Sequence, residues 1–272
     1  MRFLRVIIVI IFLGSVVLLG WTIENVLKKD TTPPTITDEV GELHVGVKDD
    51  QKAWLKGLSA NDDRDGDITD KILIERISRF LEPGKCQVNY VVFDQGNNFS
   101  RHQRDIYFDD YQSPRLSLDK PLMYRSGEHI MFTDRLHLWD SIDGDLDYKI
   151  KIESSNVRNS EVGVYEIELH AVTNYGDEVR TRIPVNIVDY STDGPEIELK
   201  QYLAYVKKGE FFDPLSYVTS VVDTDGGEID KSLISIHSQV DFSKVGGGQI
   251  RLEVTNSKGF RGSTYLTIIV EE

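Results

Sequence analysis

Asp62, Asp63, Asp65 and Asp67 place four carboxylates within six residues, the densest concentration of potential ligands in the chain. That density suits a hard, oxygen-ligated cation such as Ca2+. An EF-hand loop does not fit, because Gly66 stands fourth from Asp63 instead of sixth and no Glu stands twelfth. A joint site is the other metal arrangement, with Asp109, Asp110, Asp189 and Asp193 reaching from linkers so that the ion stiffens the junction of neighbouring modules. The competing role for the same residues is structural. Asp side chains accept backbone N–H groups in Asx turns, and Gly66, Gly144 and Gly226 supply positive φ. The turn is the expected role; no cofactor is required by it, and Ca2+ is the candidate if one binds.

Catalytic patterns are missing from the sequence. His44, His102, His129, His137, His170 and His237 are scattered without the i, i+4 spacing of a zinc helix. There is no Gly-x-Ser-x-Gly elbow, and Gly246-Gly247-Gly248 precedes an alternating run and reads as a flexible turn, not a phosphate cradle. A non-enzyme is therefore expected. Aromatic side chains are the remaining candidates for binding: Tyr202, Tyr205, Phe211, Phe212 and Tyr217 cluster near the C-terminal end, where they would stack on sugar rings or anchor a protein partner if exposed. The alternative is that most are core, as expected also of Trp54 and Trp139. Cys86 is the single cysteine, so it forms no intrachain disulfide and reads as a small buried hydrophobe.

The elements that must position these groups follow from internal repetition. Three segments carry four landmarks in one order: a proline before an extended run, an acidic Asp-Gly turn, a glycine before an alternating strand, and a turn with Asn or Gly. Prolines 34, 114 and 195 recur 80 and 81 residues apart, and the turn glycines 66, 144 and 226 recur 78 and 82 apart. The closing strands alternate with period two. Tyr165, Ile167, Leu169 and Ala171 oppose Glu166, Glu168 and His170, and Ile250, Leu252 and Val254 oppose Gln249, Arg251 and Glu253. Short strands punctuated by Gly and Asp in a unit of about 80 residues predict a small Greek-key sandwich. A short helix fits only between Val47 and Ala60. The expected fold is all-β, three tandem immunoglobulin-like β-sandwiches over residues 30–109, 110–189 and 190–272, following an N-terminal transmembrane helix in residues 1–29.

These landmarks resemble the bacterial Ig-like surface repeats that include the Ig-like domain of pesticidal crystal proteins, and more loosely the hyalin-type repeats. The family pattern opens Asp-x-x-Pro-Pro-x-Ile and continues through Ala-x-Asp-x-x-Asp-Gly-Asp-Ile-Thr to a closing Gly-x-Tyr strand and Asp-x-x-Gly-Asn turn. Repeat 1 follows it at Asp30 to Ile36, Ala60 to Thr69 and Gly84 to Asn97, with Cys86 where Tyr is usual. Repeat 2 keeps Gly163-Val164-Tyr165 and Asn174 but has Trp139 in place of alanine. Repeat 3 keeps Phe212-Asp213-Pro214-Leu215 and Val218-Thr219, and loses Tyr after Gly246. The resemblance implies modules of surface adhesins, stalks and appendages of polysaccharide enzymes, which is a location more than an activity.

The first residues set the compartment. Val6 to Ile23 is apolar apart from Gly14, Ser15, Gly20 and Thr22. As a helix those residues span ~27 Å, close to the hydrocarbon core of a bilayer. No A-x-A-like cleavage site follows, so an uncleaved signal anchor is expected, with Arg2 and Arg5 inside and the repeats extracytoplasmic at the cell membrane. A formal net charge of −14 argues against nucleic acid as a partner. Glu272 ends the chain just past the last alternating strand, and no enzyme domain is expected beyond it. The expected function is a membrane-anchored rod whose distal repeat presents a surface for cell adhesion, to an envelope protein or another surface. The alternatives are an envelope-polysaccharide accessory protein, which coplanar exposed aromatics on repeat 3 would favour, and a structural subunit of an envelope complex.

Overall fold

The computed structural model describes residues 2–189 and 194–272; of the helix, side chains 2, 4–6 and 25–28 lie outside the description. The orientation expected from Arg2 and Arg5, the proposed ligand Asp193 and the boundary at residue 190 therefore lie outside the described residues. Among the described residues a single α-helix, α1 (Arg2–Lys28), carries the apolar stretch. All remaining regular structure among the described residues is strands and short 3-10 turns, so the fold is all-β after one N-terminal helix.

Repeat 1 consists of β1 (Thr35–Asp38), β2 (Leu43–Val45), β3 (Leu58–Asp62), β4 (Gly66–Asp67), β5 (Leu73–Ile77), β6 (Lys85–Phe93) and β7 (Phe99–Phe108). One sheet runs β1-β3-β4 and the other β2-β7-β6-β5. Repeat 2 has β8 (Arg115–Leu118), β9 (Met123–Arg125), β10 (Leu136–Asp140), β11 (Gly144–Asp145), β12 (Lys151–Ser155), β13 (Gly163–Val172) and β14 (Glu178–Val188), ordered β11-β10-β8 and β12-β13-β14-β9. Repeat 3 has β15 (Glu196–Leu199), β16 (Leu203–Lys207), β17 (Val218–Val222), β18 (Ser235–Ser238), β19 (Gly246–Thr255) and β20 (Arg261–Glu271), ordered β15-β17 and β16-β20-β19-β18. The four-stranded sheets have the same order each time, whereas the first sheet has three strands in repeats 1 and 2 and two in repeat 3. The chain leaves its first sheet after one short strand and adds the next strand to the second sheet, parallel to the last: β2 on β7, β9 on β14, β16 on β20.

Alternation decides which side chains face inward. Along β6, Cys86, Val88, Tyr90 and Val92 are buried and Gln87 and Asn89 only partly so, while Val91 is buried from the other face. In repeat 2 the core joins Leu116, Leu118, Leu136 and Leu138 of the first sheet to Ile167, Leu169, Ile183 and Val185 of the second. In repeat 3 it joins Ile197, Leu199 and Val221 to Leu252, Leu266 and Ile268. The residues from Val47 to Ala60 include a 3-10 turn, Gln51–Leu55, that buries Trp54 edge-on against Phe108, 5.7 Å between ring centres. Trp139 departs from expectation: it is half exposed, because β10 alternates Leu136, Leu138 and Asp140 inward and leaves it on the outer face.

The chain divides into two compact units, Met1–Asp109 and Asp110–Glu272. Within the second, repeats 2 and 3 share a packed junction. Leu203 of repeat 3 belongs to the repeat 2 core, with Tyr202, Tyr205 and Ile269 packed against it. Asn186 Nδ2 donates to Gln249 Oε1 at 2.6 Å, and both residues are buried. The Gly246-Gly247-Gly248 run, expected as a flexible turn, is instead the start of β19, paired with Val270, Ile269 and Ile268. A Cβ on Gly247 would stand 1.9 Å from the Arg182 carbonyl oxygen, so glycine there lets the two repeats approach.

Candidate functional site

The acidic turn of repeat 1 is built by the end of β3 and the tight return into β4. Asp62 Oδ1 accepts the N–H groups of Arg64 and Asp65, each at 2.9 Å, and Gly66 has φ of 72°. That is the Asx turn the residue types predict. Asp67 accepts from Thr69 N at 2.9 Å and starts the following 3-10 turn. Asp65 Oδ2 reaches the neighbouring loop and accepts from Gln95 N at 2.7 Å. Asp63 is exposed.

The four sequence-contiguous carboxylates therefore do not converge. Strand and turn geometry send Asp63 and Asp67 outward, and only Asp62 points into the repeat, where it is 3% exposed. It meets two acids from other segments instead. Asp30, ahead of β1, and Asp94, at the end of β6, each bring a carboxylate oxygen to within 4.8 Å of one from Asp62 and of each other. Spacing along the chain carries no trace of this triplet, since its members are about 30 residues apart; its trace is the landmark pattern, in which each acid belongs to a different landmark. N–H bonds from Asp65 and Arg64 hold the Asp62 carboxyl below its ordinary value despite its burial, so it is charged at neutral pH. Arg64 Nε lies 3.7 Å from Asp30 Oδ2. Of the linker acids, Asp109 Oδ1 lies 2.6 Å from His44 Nδ1 and Asp189 is exposed.

The five aromatic candidates are likewise dispersed by the fold. The Tyr205 hydroxyl accepts from Leu116 N at 2.8 Å and its ring lies under Arg115 at 4.2 Å, which fixes it in the junction of repeats 2 and 3. Tyr202 joins the same junction through its N–H to Leu118 O at 3.0 Å. Phe212 and Tyr217 pack on each other, ring centres 5.4 Å apart, at the margin of the repeat 3 core. Phe211 alone of the five is open, 93% exposed. A cleft of about 660 Å³ lies along the junction, lined by Arg180, Arg182, Tyr205, Gly247 and Glu271 among others.

No protein-family model matches the sequence. The pesticidal crystal protein Cry22Aa of Bacillus thuringiensis is 24% identical over 247 residues, 88% of this chain and 33% of that protein, so the chain spans about a third of that relative's length. Solved structures with similar arrangements include the CBM51-2 module in complex with GlcNAc and INT domains from Clostridium perfringens ZmpB. It is 17% identical over 54% of this chain and 26% of that one, with a TM-score of 0.23. The protocadherin gammaB7 EC3-6 structure is 12% identical over 88% and 74% of the two chains, with a TM-score of 0.20.

Proposed function

We propose that this protein is a non-catalytic, membrane-anchored interaction module whose β-repeats are displayed outside the cytoplasm. One observation carries the reading. The 18-residue apolar stretch Ile7–Glu24 of α1 is long enough to cross a bilayer, and the rest of the chain buries none of it. A helix apolar on all sides is covered by a core or by lipid, and here no core covers it. The same length and composition also suit a signal sequence, which sets the terms of the test.

The partner is an envelope protein in preference to a polysaccharide, because the five aromatics Tyr202, Tyr205, Phe211, Phe212 and Tyr217 are dispersed and do not form a flat sugar-stacking face. Phe211 is the most exposed of the described aromatics of repeat 3, with Phe260 partly open beside the last turn, and is the side chain offered to anchor one. The experiment is carbonate extraction of membranes expressing the full chain, with external protease and a photo-crosslinker at position 211. Expected are retention in the membrane, digestion of repeats from outside, and a crosslinked protein adduct at Phe211 absent at the packed Phe212. Release of a soluble chain lacking the first ~25 residues would show that α1 is a cleaved signal.

A further inference from the structure

The three repeats carry the same aspartate at the end of the same strand and surround it differently. Asp62, Asp140 and Asp223 correspond, and so do Asp94, Thr173 and Asn256. Each of the latter donates its N–H across the closing turn, to Asn98 O at 3.0 Å, Asp177 O at 2.9 Å and Phe260 O at 3.0 Å. In repeat 2, Asp140 Oδ1 accepts from Ile142 N and Asp143 N, both at 2.8 Å, and the Tyr111 hydroxyl lies between two carboxylates, 3.2 Å from Asp140 Oδ2 and 2.8 Å from Asp177 Oδ2. In repeat 3, Asn256 Nδ2 donates to Asp223 Oδ1 at 2.9 Å. A neutral side chain able to donate thus stands beside this aspartate in both, shared in repeat 2 with Asp177.

Repeat 1 has no such donor at this position. Asp62 Oδ1 is taken up by the Asx turn, while Oδ2 is buried without a hydrogen-bond partner. The groups brought beside it, Asp30 and Asp94, are carboxylates, which accept and do not donate when ionised. An unpartnered buried oxygen within a group of three acids is costly unless a positive group offsets it; the half-exposed Arg64 guanidinium, 3.7 Å from Asp30 Oδ2, still leaves Asp62 Oδ2 without a hydrogen bond. Each of the two partners has already spent lone pairs on its own loop: Asp30 Oδ1 accepts from Thr32 N at 3.0 Å, and Asp94 accepts from Asn98 N at 2.7 Å and Asn98 Nδ2 at 2.8 Å. These bonds aim the acids inward. Gly96 completes the enclosure, because a Cβ there would stand 3.0 Å from Asp30 Cβ and 3.3 Å from Asp94 Oδ1.

We propose that Asp30, Asp62 and Asp94 bind one divalent cation of the calcium class. The donors are oxygens alone, with no His or Cys in the group, which favours a hard ion over zinc. Oxygens bound to one Ca2+ at ~2.4 Å stand up to ~4.8 Å apart, the limit within which these three lie. The ion would tie together the segment entering β1, the end of β3 and the end of β6. It is a different site from the contiguous turn Asp62, Asp63, Asp65 and Asp67, with only Asp62 in common.

The test is calcium titration calorimetry and thermal unfolding of the full chain in detergent, in chelator and with added Ca2+ or Mg2+. The expected result is one Ca2+ per chain and a higher unfolding temperature when it is bound. Asp94→Asn installs the amide that repeat 3 uses against its own aspartate. It should fold in chelator with a midpoint at or above that of the parent, bind Ca2+ at least tenfold more weakly, and lose most of the calcium-dependent shift. Asp30→Asn, at a less buried position, should weaken binding likewise, and Asp63→Asn should leave it unchanged. No heat and no shift in the parent, a response to Mg2+ but not Ca2+, parental binding in both Asp94→Asn and Asp30→Asn, or equal loss in Asp63→Asn would each overturn the assignment.

Discussion

Arg104 shows what one residue contributes to repeat 1. Its side chain is fully buried, yet it carries a charge. Nη1 donates to Asp38 Oδ1 at 3.2 Å and to Lys56 O at 2.9 Å, and Nη2 donates to Trp54 O, which also accepts the Tyr90 hydroxyl at 2.7 Å. Arg104→Leu leaves Asp38 and two carbonyls without these donors, and should cost ~3–5 kcal/mol, read as a lower urea midpoint. The same pair sets an acid limit. Burial by itself would raise the Asp38 carboxyl, but N–H bonds from Gly41 and Val40, His102 and the Arg104 charge outweigh it and bring it to about 2. A carboxyl lower in the folded than the unfolded chain stabilises the fold above its unfolded value near 4. That contribution is lost as pH falls from about 4 through about 2. Acid titration of stability should show this slope in the parent and a shallower one in Arg104→Leu. Nothing in the sequence marks Arg104, since a charge within an alternating strand is ordinarily assigned to the wet face. It is inward here because Asp38 and the carbonyls of the Gln51–Leu55 turn and of Lys56 converge on it.

At the scale of elements, period-two patterning identified the long closing strands of repeats 2 and 3 and their buried faces, because a pleated strand buried on one side leaves that alternation in the residues themselves. Gly246-Gly247-Gly248 defeated the same reasoning. Three glycines have no side-chain alternation to read, so the ladder to Val270, Ile269 and Ile268 is written only in the partner strand. Gly247→Ala should destabilise the second unit by ~1–3 kcal/mol, because its Cβ overlaps the Arg182 carbonyl and strands β19 and β14 must separate. Hydrogen exchange should show the loss as faster exchange along β14, with the strands of repeat 1 unchanged.

At the scale of the molecule, repeats 2 and 3 are a single compact unit and not two independent beads. The Asn186–Gln249 pair, the Tyr205 hydroxyl on Leu116 N and the Arg115–Glu271 ion pair at 2.7 Å all cross their junction. These two repeats should unfold in one calorimetric transition. Gln249→Ala leaves the buried Asn186 amide without this partner, and should lower that whole transition by ~1–3 kcal/mol. Two resolved transitions in the second unit would contradict the shared core.

By itself, the sequence determined the all-β class, the threefold recurrence and the apolar helix, since each is a periodicity or a composition and so is local to the chain. It also located the acidic turns, where Asp62 does accept the backbone N–H groups its type predicts. Only the tertiary structure decided which acids meet. Asp63 and Asp67 neighbour Asp62 in the chain and diverge from it, while Asp30 and Asp94, from distant segments, converge on it. It likewise sent four of the five aromatics into cores and junctions and left Phe211 outside. The reason is the same in each case: a side chain's direction follows from its own strand or turn, but its company is set by which distant strands pair alongside.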